Sequence, residues 1–515
     1  MPPIFDRARF DRALFDSADA VSLRQLLPRA RFLGGSDIQV AAIATDVRHC
    51  QAGDTFVALV DAERDGHDEV AEAIRRGASS VLAERLIPAD VPTCLVRDTR
   101  YAHGLVCHAL SGRPSEQLRT VGVTGSNGKT VTAHLLASIL RAAKLDAGLM
   151  SNLSAVAPFE PPHDDSTPTA VEIAHSLHRM TQSGQTHAVI EVSSASLATR
   201  RTAGVAFDAA VITNIRRDHA EEHGSIHQYR RLKSRLLEQL KPGGFAVVNA
   251  DDPASQLFLQ SIKQPVLTFG MRGDAEISAE VLERQAWEQT FLLQAGPEAI
   301  PVCTRMIGDH HVYNCLAAAA VAITWGVDLD TIVRGLEAVD KLPGRLERLD
   351  CGQPFHVFVD AARTPDSLAA SLKAVRQVTR GRVICVAGAQ GERAPELRPQ
   401  LGRVLEKLAH VRVLTNDNPR DEAPLEIVHG ILDGFQQPGR ALVRPDRYAA
   451  ITWALEHARP GDSVVIAGKG ESKVQEVGAR RVEWDDRAIA KQWLYGLPAD
   501  APTSSSSRPT LKIFG

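Results

Sequence analysis

The 515-residue sequence predicts an α/β protein of three domains with mainly parallel sheets. Length suggests the domain count, at roughly 150 residues per domain. Alternation gives the class: over residues 113–340, and again independently over 341–497, β-branched runs alternate with segments of helical spacing. That pattern builds a parallel sheet covered on both faces. A third observation is "GVTGSNGKTVTAHLL" from Gly122, where a strand meets Gly125 and Gly128 before a helix opens with Lys129 and Thr130.

Taken in order, residues 1–112 mix short apolar runs ("DTFVALV", "SSVLAERL", "TCLVRD") with the turn-rich "ERDGHD". The stretch "SGRPSEQ" that follows reads as a linker. In 113–340 the strands are "LRTVGVT", "THAVIEVSS", "FDAAVITNI" and "GFAVVNADD". "KTVTAHLLASILRAA" and "HQYRRLKSRLLEQL" carry apolar residues at helical spacing. In 341–497 the strands are "HVFVDA", "RVICVAG", "VRVLTND" and "DSVVIAG". Residues 498–515 are rich in proline and serine and read as a disordered tail.

A formal charge of -3 leaves no global basic field for nucleic acid. Seven scattered cysteines, never spaced C-x-x-C, read as reduced thiols rather than a disulfide framework or zinc site. The first twenty residues alternate charges with single apolar residues, without a run fit for a signal peptide or membrane span. A soluble cytoplasmic chain, working as a monomer with neither membrane nor nucleic acid as partner, is the expectation.

The loop at Gly122 departs from the usual phosphate loop, G-x-x-x-x-G-K-[ST]: its leading glycine comes one place early, and Val123 stands in its place. The context still suits a phosphate. Backbone amides at a helix start attract anions, glycines let the chain approach, Lys129 adds charge and the Thr130 hydroxyl can reach Mg2+. The form T-G-x-N-G-K-T, from Thr124 through Gly125, Ser126, Asn127 and Gly128 to Lys129 and Thr130, resembles the loop of Mur ligases and folylpolyglutamate synthases. Those enzymes use ATP to join an amino acid to a carboxylate.

The resemblance extends over nearly the whole chain. "IATDVRHCQAGDTFVAL" from Ile43 resembles the uridine-nucleotide domain of the muramyl tripeptide synthetases. "EVSS" at Glu191, "TNIRRDHAEEHGS" at Thr213 and "YRRLK" ending at Lys233 resemble their central P-loop ATPase domain. "LPGRLE" at Leu342, "DAARTPDSL" at Asp360, "DNPR" at Asp417 and "AGKGE" at Ala467 resemble their Rossmann-like C-terminal domain.

By that resemblance the γ-phosphoryl of ATP passes to a carboxylate and an amine attacks the acyl phosphate, a reaction catalysed mostly by positioning and charge stabilisation. The catalytic set it implies is Lys129, Glu191, His219 and Lys233, with Thr130, Glu191 and His219 holding Mg2+. It also implies that Lys233 is carbamylated (N6-carboxylysine), which requires a neutral amine and hence a lowered pKa. Asn314 in "HHVYN", Arg345 and Asp360 would contact ATP, the last two through closure of the third domain. Val47, Ser166, Thr167, Ser193, Thr199 and Arg201 match the UDP-N-acetylmuramoyl-L-alanyl-D-glutamate site. Arg393, Asp417, Asn418, Pro419, Arg420, Gly468 and Ser472 match the amino-acid site. Arg420 is the discriminating residue, because a guanidinium fork suits the distal carboxylate of meso-2,6-diaminopimelate and repels a lysine ammonium.

Several positions depart from the family pattern. "GKG" is followed by Glu471 and Ser472 instead of His-Glu, "DYAHTPD" is "DAARTPD", and "EVSSH" is "EVSSA". Val47 replaces a serine and cannot donate a hydroxyl, Thr199 replaces a glutamine, and His311 replaces an asparagine. Three readings stay open: a diaminopimelate-adding ligase, a ligase of the same mechanism with L-lysine, another amino acid or a folate-like acceptor, and an inactive nucleotide-binding scaffold. "HAEEH" at His219–His223 also fits the H-x-x-E-H zinc-peptidase pattern, but Gly224 follows at once and suits a loop rather than the helix that motif needs.

Overall fold

The computed structural model describes residues 19–61, 64–153, 167–216, 226–259 and 262–496. Ser166, His219, the "HAEEH" segment and the C-terminal tail lie outside them. The chain divides into two compact units. One holds the described residues up to Glu283 with Thr290–Thr304 and Asp309–Asp340; the other holds Arg284–Gln289, Arg305–Gly308 and those from Lys341 on.

In the first unit, β1 (Arg31–Leu33), β2 (Ile43–Ala44), β3 (Thr55–Val57), β4 (Ser80–Ala83) and β5 (Thr93–Leu95) form a sheet in the order β1-β5-β4-β3-β2. β1 runs antiparallel to β5 and the other pairs are parallel. After α1 (Thr99–Leu110), the segment expected to be a linker instead forms a helical turn at Pro114–Gln117 whose Pro114 and Ser115 are buried. Ser115 is fully buried because its hydroxyl bonds His108 Nε2 at 2.8 Å and accepts from the Ala206 N–H at 3.0 Å. A polar residue satisfied on both sides can be buried, which its turn-like composition hides.

The large sheet follows, with β6 (Arg119–Thr124), β7 (Ala147–Met150), β8 (His187–Glu191), β9 (Phe207–Ile212), β10 (Leu240–Asn249), β11 (Val266–Gly270), β12 (Ile277–Arg284), β13 (Gln289–Ala295) and β14 (Glu298–Thr304). Its order is β14-β13-β12-β11-β10-β9-β6-β8-β7, and every pair from β7 to β12 is parallel. The apolar runs read as strands are buried on both faces: Val121, Val123, Val189 and Val211 have no exposed surface. The covering helices include α2 (Lys129–Ala142), α3 (Ala170–Gln182), α4 (Ser194–Ala198), α5 (Ile226–Leu237), α6 (Asp309–Thr324) and α7 (Leu329–Glu337). The alanine-rich stretch Leu316–Ala322 gives α6 a thin surface, and both α6 and α7 pack on α2.

The second unit holds β15 (Glu347–Leu349), β16 (His356–Asp360), β17 (Val383–Ala387), β18 (Val411–Leu414), β19 (Ala441–Val443) and β20 (Ser463–Ala467), ordered β15-β16-β20-β17-β18-β19. β15 is antiparallel to β16 and the rest are parallel. Side chains alternate across the sheet with period two. Phe358, Cys385 and Val465 pack with α8 (Pro365–Val378), α9 (Leu397–Leu408) and α10 (Pro424–Leu432), whereas Val357, Val386 and Ile466 pack with α11 (Arg447–Glu456) and α12 (Asp486–Leu494). This is the doubly wound arrangement expected of a Rossmann-like domain. A small hairpin, β21 (Val474–Val477) with β22 (Arg480–Glu483), follows β20. All seven cysteines are free thiols. Among the described residues no helix is long and apolar enough to cross a membrane.

Candidate functional site

In the large sheet, β8 and β7 lie to one side of β6 and β9 to β12 lie to the other. The crevice at the carboxyl ends of strands beside such a reversal is where open α/β sheets take ligands. Thr124 closes β6, and the chain turns through Gly125–Gly128 into α2. Gly125 has φ +152°, and a Cβ there would lie 1.9 Å from Thr213 Oγ1. Gly128 has φ +85°, and a Cβ there would lie 2.2 Å from Asn314 Oδ1. Neither position admits a side chain.

The loop is braced from the end of β9. Asn214 accepts from the Ser126 N–H through its carbonyl and from the Asn127 N–H through Oδ1, both at 3.0 Å, and Thr213 Oγ1 donates to the Asn127 carbonyl at 2.6 Å. Gly128 is the N-cap of α2 and makes no side-chain cap bond. No cap side chain therefore competes with an anion for the amides of the first turn. Lys129 Nζ lies on the carbonyls of Gly125 (3.1 Å) and Ser126 (3.0 Å). Thr130 Oγ1 donates to Glu191 Oε2 at 2.9 Å, and the Asn152 N–H reaches the same oxygen at 3.2 Å. A hydroxyl and a carboxylate adjoining a phosphate loop are hard oxygen donors of the kind Mg2+ takes together with phosphate oxygens, so these residues fit that cation.

Lys233 on α5 is fully buried beneath the loop, donating to Thr124 Oγ1 at 2.9 Å and to the Gly125 carbonyl at 3.3 Å. Burial drives its pKa well below the ordinary lysine value, the Lys129 charge lowers it further, and Glu191 opposes the fall. Buried Asn314 on α6 accepts from Thr132 Oγ1 at 3.4 Å beside Gly128. Three further residues singled out by sequence also come together. Thr167 Oγ1 lies 3.3 Å from Ser193 Oγ, and the Arg201 guanidinium donates to the Thr167 carbonyl. Thr199 turns back to the Ala195 carbonyl of its own helix at 2.7 Å, and Val47 opens a 3-10 turn in the first sheet's region.

In the second unit the named residues cluster at the carboxyl ends of β16, β17, β18 and β20. Asp360 is buried and accepts from the N–H groups of Leu346 (2.6 Å) and Ala362 (2.9 Å) and from Ser371 Oγ (2.9 Å); burial nonetheless raises its pKa. Arg345 makes a forked pair with Glu471 at 2.5 and 3.0 Å. The carboxylate that follows "GKG" is therefore taken. Ser472 is buried in its own turn, with its hydroxyl 3.2 Å from the Val474 carbonyl, and Gly468 takes φ +116° beside Asp417. Arg420, at φ +52°, donates through Nε to Glu476 Oε2 at 3.0 Å and lies 3.6 Å from Glu392. Its backbone is bonded to the β21–β22 hairpin, with the Gly478 N–H donating to its carbonyl at 2.7 Å. Lys469 is buried and donates to Asn418 Oδ1 at 2.6 Å; burial, partly offset by Asp417, lowers its pKa to about 8. Pro419 continues the turn, and Arg393 is half-buried two residues beyond Gly391.

Comparison with known proteins decides the family. Residues 123–322 match the Mur ligase middle domain, and residues 344–470 match the Mur ligase, glutamate ligase domain. The UDP-N-acetylmuramoyl-L-alanyl-D-glutamate--2,6-diaminopimelate ligase of Geobacillus kaustophilus is 37% identical over 465 residues, covering 89% of this chain and 95% of that protein. The chain belongs to the Mur ligase family. A second relative of this Mur ligase, the enzyme of the same name from Bacillus licheniformis, is 36% identical over 480 residues, 90% of this chain and 97% of its own. A solved structure of a UDP-N-acetylmuramoyl-L-alanyl-D-glutamate--2,6-diaminopimelate ligase superposes with a TM-score of 0.67 at 27% identity, covering 93% of this chain and 99% of that one. The Mur ligase is thus an ATP-dependent ligase with the multidomain α/β fold of its relatives.

Sequence reading missed some of the neighbours. Thr213 and Asn214 carried a signal, since they follow a β-run inside "TNIRRDHAEEHGS", yet their bracing of the loop was not anticipated. Glu476 and Gln390 carried none: nothing local marks them as neighbours of the "DNPR" turn.

Proposed function

We propose that this Mur ligase adds meso-2,6-diaminopimelate to UDP-N-acetylmuramoyl-L-alanyl-D-glutamate through an acyl phosphate, using ATP and Mg2+. The observation that carries it is the Thr130–Glu191 bond at 2.9 Å on a glycine loop at the sheet's reversal, in a chain 37% identical to a ligase of that name. The first-turn amides of α2 and Lys129 grip the ATP phosphates. Thr130 and Glu191, with His219 assigned by family likeness, would hold Mg2+, which when bound would neutralise charge on the transferring phosphoryl. The γ-phosphoryl passes to an oxygen of the acceptor carboxylate and ADP leaves. The amine then attacks the carbonyl carbon, loses a proton and expels inorganic phosphate.

Lys233 fits a modified residue. Its burial favours the neutral amine that captures CO2, and the carbamate would turn a cation repelled by Lys129 into an anion attracted to it. Thr167, Ser193 and Arg201, together with Val47, Ser166 and Thr199, are assigned to the nucleotide-linked acceptor. Arg393, Asp417, Asn418, Pro419, Arg420, Gly468 and Ser472 are assigned to the amino acid. The functional segments are 1–112 for the acceptor, 113–340 for ATP and 341–497 for the amino acid, within a chain that works as a monomer.

A second reading keeps the mechanism and changes the amino acid. It is favoured by Ser472 standing where the family has a carboxylate, by Glu471 being held on Arg345, and by Glu476 occupying Arg420. Phosphate release measured across a panel of amino acids with the UDP-muramoyl dipeptide separates the two. Release dependent on both the dipeptide and diaminopimelate supports the first reading; release with lysine or another amino acid instead supports the second. No release with any amino acid removes both.

A further inference from the structure

We infer that Gln390 is a substrate-selecting residue, its side-chain amide pairing with the amino acid at the C-terminal site of this ligase. The inference rests on the ligase reading above and goes beyond the residues assigned by family likeness.

Gln390 follows β17 in "AGAQGER" and is 4% exposed. Neither its Oε1 nor its Nε2 has a hydrogen-bond partner. An amide buried with both ends open is costly, and native folds keep such a group mainly where a ligand or water completes it. Its loop lies directly on the "DNPR" turn. The Gly391 N–H donates to the Asn418 carbonyl at 2.9 Å, and a Cβ on Gly391 would lie 1.9 Å from the Pro419 carbonyl oxygen. On that turn Asp417 is 1% exposed, and its two carboxylate oxygens accept no hydrogen bond, the Lys469 ammonium standing 3.6 Å away. Two adjoining loops therefore hold unsatisfied buried polarity, beside an Arg420 guanidinium already facing Glu476 and Glu392.

Two other polar groups of the cluster are committed elsewhere. Glu471 is forked onto Arg345 and Ser472 is turned onto Val474. Gln390 offers what an amino-acid centre requires: an acceptor for its ammonium and two donors for its carboxylate, on one side chain. The carboxylate missing at Ser472 is thus replaced, in kind though not in charge, from a different loop.

The test uses the full chain, with steady-state phosphate release and thermal melting. Gln390→Leu should raise the KM for diaminopimelate, or for whichever amino acid of the panel turns over, by about tenfold or more, because a site that bonds a polar group is lost. The KM values for ATP and the UDP-muramoyl dipeptide, and kcat, should stay within about twofold. The ligand-free melting temperature should hold or rise, since no protein hydrogen bond is removed, while the rise induced by the amino acid should be lost. Gln390→Asn, which keeps the amide, should recover part of both effects. An unchanged amino-acid KM, an equal rise in all three KM values, or a clear fall in ligand-free melting would overturn the inference, the last by giving Gln390 a structural role, such as holding an internal water. If no amino acid supports turnover but one still raises the melting temperature of the wild type and not of Gln390→Leu, the ligase reading fails and the role of Gln390 stands. If no amino acid shifts the wild type, Gln390 has no such role.

Discussion

Lys233→Met separates chemistry from stability at the phosphate loop. The substitution removes a fully buried amine and its bonds to Thr124 Oγ1 (2.9 Å) and the Gly125 carbonyl (3.3 Å), together worth about 1–3 kcal/mol. Neither acceptor is orphaned. The Thr124 hydroxyl still donates to the Val192 carbonyl at 2.8 Å, and the Gly125 carbonyl still receives Lys129 at 3.1 Å. Against the loss stands relief from burying an amine whose charged form is disfavoured by desolvation and by Lys129. The two contributions oppose each other, so folding stability should fall by less than the hydrogen bonds alone are worth, about 2 kcal/mol or less, a shift of at most roughly 4–8 °C in melting temperature. Turnover should fall by about a thousandfold, the scale of removing a preorganised charge from an active site. Paired melting and phosphate-release assays read both quantities. A melting temperature lower by about 10 °C or more would make Lys233 a structural residue, and near-normal turnover would refute its assigned part in the reaction.

The loop geometry gives a second expectation: Gly125→Ala drives a methyl to 1.9 Å from Thr213 Oγ1 and breaks the brace that hydroxyl makes to Asn127, so it should destabilise by about 3 kcal/mol and abolish ATP binding by calorimetry. The fully buried pair Arg447–Asp486, at 2.6 and 2.9 Å, also ties α11 to the carbonyls of Asn416 and Ala467 at 3.1 and 3.0 Å. Arg447→Met should cost about 3–5 kcal/mol in denaturant titration by leaving Asp486 buried and unpaired. Lys469 has a pKa of about 8, below its unfolded value of about 10.4. Between those values the unfolded chain holds the proton and the folded chain does not, so stability should rise with pH by about 1 kcal/mol per unit. Lys469→Met should remove that part of the slope, and an unchanged slope would contradict the assignment.

Much of the first cluster was legible because its parts are local in sequence. A β-run, two glycines, and Lys129-Thr130 opening a helix fix where a phosphate can sit, and Glu191 was readable as a strand-end carboxylate. Its contact with Thr130, 61 residues away, follows from parallel pairing of β6 with β8. The second cluster was less legible because its character depends on partners that no motif names. Arg420 reads as a free guanidinium fork, yet Glu476, 56 positions later, reaches it from a hairpin. Glu471 reads as a displaced amine-binding carboxylate, yet Arg345 takes it. "SGRPSEQ" reads as a linker because buried Ser115 has the composition of a turn, and only His108 and Ala206 show why it is inside.

The central claim is that the acceptor carboxylate is phosphorylated before the amide forms, and the fate of one oxygen tests it directly. With the acceptor carboxylate labelled with heavy oxygen, the account predicts one labelled oxygen in the released inorganic phosphate for every amide made. Amide product accompanied by unlabelled phosphate would contradict it.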